Sequence, residues 1–137
     1  MNALNYTHAI FAWLLLILLV LSLVIAVSRY KKKISLGFSK VYLVTMILAH
    51  LQVLLGLTQY FISSKVVHSK AMMSDSLLRF FALEHPLMMI IGIVVLTIGY
   101  SKSKNHVFPN KSVFIYYAIG LIFILSRFPW QYLTVTF

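Results

Sequence analysis

The 137-residue chain contains no cysteine. That excludes a disulfide framework, a thiolate metal site, an iron–sulfur cluster and covalent c-type haem attachment. Acids are almost absent: Asp75 and Glu84 are the only two. Paired-carboxylate catalysis therefore has little to work with, and acidic sites for coupling ions are scarce, which ranks transport low. Charged residues make up 10% of the chain, against roughly 25% in a soluble domain. There is no P-loop, no dinucleotide fingerprint and no H-E-x-x-H.

What is present is apolar surface. Hydrophobic residues make up 61% of the sequence, and lipid is the natural solvent for such a composition. The net charge of +10 does not indicate nucleic acid as a partner. The charges punctuate apolar runs and form no stripe along a soluble face.

Four runs have the length that crosses a hydrocarbon core of about 30 Å. The expected spans are about 4–28, 41–64, 78–101 and 112–130. A signal peptide is not expected in the first, because its basic residues follow the run and do not precede it. Short connections make neighbours antiparallel. The sequence thus predicts an all-α fold, a single four-span domain over 1–137 arranged as an up-down-up-down four-helix bundle.

Lysines set the orientation. The first and third loops, with Arg29, Lys31, Lys32, Lys33, Lys40, Lys102, Lys104 and Lys111, hold eight of the twelve basic residues. Lys65, Lys70, Arg79 and Arg127 mark the other side, together with both acids. The positive-inside rule places the richer side in the cytoplasm. Both termini are then periplasmic, in a bacterial inner membrane. The Arg29–Lys33 cluster sets topology and attracts anionic lipid.

The unusual polar residues gather near one depth, toward the outer face: His8 in the first span, Gln59 and Tyr60 in the second, Glu84 and His85 in the third, and Arg127 in the fourth. Ionisable groups are costly in a membrane helix, so four helices carrying such unusual groups at one level suggest a shared site. Helical phase agrees. His8, Ala12, Ser22 and Ala26 share a stripe. So do His85, Met89, Gly92 and Gly99, and so do Tyr116, Gly120, Phe123 and Arg127.

Two inward histidines on different helices suit the axial ligation of a b-type haem. Gly92, Met88, Met89, Phe11 and Tyr116 are the expected surroundings, and Arg127 the propionate or Glu84 partner. The plain alternative is that both histidines are hydrogen-bonded packing residues. Pro86 leaves two readings of the third span: a kink that aims His85 inward, or a helix that begins at Pro86.

Asn5-Tyr6-Thr7-His8, followed by an apolar helix ending in Arg29-Tyr30-Lys31-Lys32, resembles a histidine-bearing helix of haem A synthase. Leu51-Gln52-Val53-Leu54-Leu55-Gly56 resembles the Leu-Gln-x-Leu-Leu-Gly segment of that family's next helix. The resemblance covers about three of the four spans, and places His85 at the second haem ligand of one half-bundle. It implies ligating histidines near the outer face. The pattern is also similar to small four-span membrane proteins of Bacteroidetes-type bacteria, some labelled cytochrome b. Asn5 and Ala9 stand where the family has glutamate and arginine, and the cysteine pair of many members is missing. Haem b binding for electron transfer therefore fits better than the oxidising chemistry of haem A synthesis.

His50 is deeper, about thirteen residues from the outer end of the second span, and lies opposite Gln52, Gly56 and Gln59. One of these faces must meet lipid or a partner. Either His50 or the pair Gln52 and Gln59 is expected to face a second copy or a larger membrane complex. Two functions remain: a small b-type cytochrome with His8 and His85 as ligands, an electron carrier more than a catalyst, or a cofactor-free accessory subunit.

Overall fold

A computed structural model describes residues 3–31, 39–64, 66–104 and 109–130, and these are all-helical apart from their connections. Helix α1 covers Ala3–Lys31 and α2 covers Lys40–Ile62. A single turn, α3, covers Ala71–Ser74, and α4 runs through Ser76–Lys104. Helix α5 covers Pro109–Ser126. Helices α1, α2 and α4 are long and apolar enough to cross a membrane, and α5 is a shorter apolar helix.

Local chemistry explains the boundaries. Ser39 caps α2, its Oγ accepting from the Val41 N–H at 3.3 Å. Asp75 caps α4, its Oδ1 accepting from Leu77 and Leu78 at 2.9 and 3.0 Å. Arg29 and Lys31 close α1 at its negative dipole end. Pro109 opens α5, where its missing N–H costs nothing. The fourth span was expected over 112–130, but α5 stops at Ser126. Pro129 disfavours helical geometry at Phe128, so Arg127 lies just past the helix and not one turn inside it. The other helices match the expected spans within a few residues, α1 and α4 running longer.

Pro86 neither starts α4 nor breaks it. The helix is already formed from Ser76, and residues Phe80–Glu84 widen into a π turn in which the His85 N–H bonds the Phe80 carbonyl. The expectation that the helix begins at Pro86 is corrected on this point. Pro86 has no N–H for the Ala82 carbonyl one turn earlier. The Tyr60 hydroxyl donates to that carbonyl instead, at 3.0 Å. An inserted donor and a π turn are two of the recognised causes of helix distortion.

Packing follows the small and polar residues. Helix α4 packs most extensively on α5, α1 packs on both α2 and α5, and α2 packs on α4 less closely. A Cβ at Gly92 would meet the Gly120 carbonyl at 3.1 Å, and one at Gly120 would meet the Gly92 carbonyl at 3.0 Å. Two backbones cross there at a distance only glycine allows. The inner face of α2 carries a polar ladder. Tyr42 donates to Asn110 at 2.8 Å, Thr45 meets Ser22 at 3.0 Å, and Gln52 donates to the His8 carbonyl at 3.1 Å. The pairs Ser22–Thr45 and His8–Gln52 make α1 and α2 antiparallel. The outward faces are apolar, with Ile10, Ile17 and Val24 on α1, Val44, Ile47 and Leu54 on α2, and Leu87, Val94 and Ile98 on α4.

Candidate histidine site

His8 sits on the second turn of α1, and His85 follows the π turn of α4. These helices share little direct contact, yet the two imidazoles meet across the interior. Their ring centroids lie 6.5 Å apart and their planes are nearly perpendicular, at 85°. A single metal atom between two imidazoles needs centroids about 6 Å apart, from bonds of about 2 Å plus the ring radii on each side.

The environment orients His85. Its Nδ1 lies 2.9 Å from the Arg127 carbonyl oxygen. A carbonyl only accepts, so Nδ1 carries the proton and the neutral ring keeps its lone pair on Nε2. Phe80, on the same π turn, stacks on the ring with centroids 5.8 Å apart. The main chain of Arg127 thus holds the histidine, while its guanidinium goes elsewhere: Nε bonds Glu84 Oε2 at 3.1 Å, and Arg79 takes Oε1 at 2.9 Å. This cluster lies at the rim, where the Arg127 side chain is 46% exposed. Of the two partners expected for Arg127, it reaches Glu84.

His8 is held less completely. Gln52, only 7% exposed, binds its carbonyl. The His8 Nδ1 and the Gln52 Oε1 are both buried without a hydrogen-bond partner. Each such buried polar atom is costly unless something completes it. A Cβ at Gly56 would meet His8 Cε1 at 3.4 Å, so a bare backbone flanks the imidazole.

These groups border a cavity of about 210 Å³, lined also by Met89, Tyr60, Ile90, Ile93, Trp13 and Phe128. Trp13, Phe128 and Trp130 pack on one another at its edge. Of the residues anticipated around the histidines, Met89 lines the cavity and Gly92 does not, being buried against Ile124 and Gly120. Tyr116 likewise packs on Gly99 in the α4–α5 crossing. Their stripes are helix-packing faces. Among the described residues no group of three or more metal-binding side chains occurs.

The polarity of α2 is divided unequally. Gln52 and Gln59 point inward, Gln59 donating to Asn5 Oδ1 at 2.5 Å. His50 is exposed on the opposite face, so the outward polarity of α2 at this depth is His50. The sequence did not reveal the Tyr60–Ala82 bond, although a proline four residues after Ala82 announces a carbonyl in need of a donor. The contact of His85 with the main chain of Arg127 leaves no sequence signal. The chain matches no known protein family, no curated protein and no solved structure.

Proposed function

We propose that this is a small integral membrane protein of four spans, an up-down-up-down bundle that holds a haem b between His8 and His85 for electron transfer. Length supports the spans: even the 18 residues of α5 reach about 27 Å at 1.5 Å per residue. Charge supports the orientation. Arg29, Lys31, Lys40, Lys102, Lys104 and Lys111 lie at the ends of the helices opposite the histidines. That end belongs in the cytoplasm of a bacterial inner membrane and the histidine end at the periplasmic face, with both termini.

One observation carries the cofactor reading. Two imidazoles from separate helices meet edge to face with centroids 6.5 Å apart, a separation near that of two ligands on one metal atom, and the Arg127 carbonyl sets the His85 tautomer. Bound haem supplies one-electron chemistry there. The chain's part is to present Nε2 of His85, to hold His8 through Gln52, and to limit water through Trp13 and Phe128. Neutral imidazole is a ligand type that haem iron accepts. At about 210 Å³ the cavity is smaller than the about 300–1,000 Å³ typical of ligand pockets, and a macrocycle does not fit it without rearrangement.

A cofactor-free accessory subunit is the second reading. The observation favouring it is that Arg79 and Arg127 both engage Glu84, so neither cation is reserved for a propionate. A reduced-minus-oxidised absorption spectrum of the purified protein separates the two. The cytochrome reading expects a Soret and α band that His8→Ala or His85→Ala abolishes. A wild type without haem, or bands unchanged in both variants, leaves the accessory subunit.

A further inference from the structure

We propose that the outward groove between α2 and α4 binds a membrane-soluble hydroquinone, whose ring hydroxyl donates to His50 Nε2. This rests on the membrane-spanning reading but not on haem in the histidine cavity.

His50 is the starting point. It is exposed near the middle of α2, about 15 Å or more from either end at 1.5 Å per residue. In a spanning helix that is mid-membrane, beyond the reach of water and lipid headgroups. Its Nδ1 lies 2.8 Å from the Met46 carbonyl oxygen, which only accepts, so the proton is on Nδ1. A neutral ring then presents a bare lone pair at Nε2, with no hydrogen bond to it among the described residues. An unmet polar group at this depth is costly, and such residues mark functional positions.

The groove beside it completes the specification. Its volume is about 350 Å³, and its lining includes His50, Val53, Ile90, Val94, Thr97 and Ile98. Thr97 Oγ1 donates to the Ile93 carbonyl at 2.7 Å, so toward the groove it too can only accept. The polar atoms here are acceptors in otherwise apolar walls. The complementary ligand is apolar, soluble at mid-membrane and equipped with a donor. A hydroquinone with an alkyl or isoprenoid tail meets all three requirements. Its oxidised quinone offers carbonyl acceptors and is mismatched. A second copy docking symmetrically through His50 would bring two Nε2 acceptors together, and a lipid acyl chain leaves both acceptors unmet. The groove shares Val53, Ile90 and Ile93 with the histidine cavity, so the two sites adjoin along one seam.

The test uses the full chain in phosphatidylcholine nanodiscs, under anaerobic conditions, with radiolabelled decyl-benzoquinol. Saturable binding is expected, at least about tenfold tighter than for decyl-benzoquinone, because a site of acceptors rejects an analogue lacking the donor. Decylbenzene should not compete. His50→Leu should weaken binding at least about tenfold, whereas His50→Gln, which keeps an acceptor, should retain most of it. His50 is exposed, so these variants should unfold as the wild type does. Val94→Trp, which fills the groove, gives an independent loss. Equal binding of quinol and quinone, full competition by decylbenzene, or unchanged binding by His50→Leu overturns the site. A dimer that dissociates on His50→Leu also overturns it, in favour of a partner helix. Release of the protein from native membranes by alkaline carbonate overturns the spanning reading itself. Retention with any of the preceding failures overturns the groove alone.

Discussion

The Nδ1–H of His85 donates to the main-chain carbonyl of Arg127 across 2.9 Å, tying the histidine of α4 to the residue just past α5. The bond depends on where α5 stops and not on the arginine side chain. It sets a tautomer and a ring direction for His85, which a helix position alone does not.

Arg127→Leu should therefore leave His85 in place. Its ion pair with Glu84 is partly exposed and shared with Arg79, and such pairs contribute about 0–1 kcal/mol. Denaturant unfolding in detergent should show a loss below about 1 kcal/mol. A loss of several kcal/mol would mean that the guanidinium serves the interior.

Tyr60→Phe removes the donor that the Ala82 carbonyl receives in place of Pro86. Stability should fall by about 0.5–1.5 kcal/mol, a typical net value for one hydrogen bond, in the same unfolding measurement. Replacing Pro86 by Ala in the Tyr60→Phe background restores an N–H one turn on from Ala82 and should recover part of the loss. No recovery would show that the carbonyl is satisfied otherwise.

Gly99→Ala tests the α4–α5 crossing. The added Cβ collides with the Cβ of Tyr116. Overpacking of this kind costs about 1–3 kcal/mol, and thermal unfolding should register it. Gly56→Ala, whose Cβ meets only His8 Cε1 at 3.4 Å, should be milder in stability. On the cytochrome reading it should nonetheless shift the absorption bands, because it presses on a ligand. Identical spectra would move His8 away from the bound group.

Topology is tested by fusion. A reporter joined at Phe137, which lies outside the described residues, should behave as periplasmic, given eight basic residues in the loops on the opposite side. A cytoplasmic signal would invert the protein.

By itself, the sequence determined what bulk chemistry controls. Long apolar runs made α1, α2 and α4, clustered lysines punctuated them, and the absence of cysteine and scarcity of acid narrowed the chemistry. It also placed His8 and His85 at a common level, since depth follows from counting residues along a helix. Tertiary structure decided direction and partnership. Helical phase left α2 with polarity on two sides, and only packing showed Gln52 and Gln59 turned inward and His50 outward. Pro86 signalled an irregularity, but whether the chain kinked, started or widened depended on Tyr60, a donor from another helix. Gly92 and Tyr116 lay on the right stripes, yet packing used them for the helix crossing. Side-chain burial, tautomer and cavity shape arise from contacts between residues far apart in the chain, and periodicity carries no term for them.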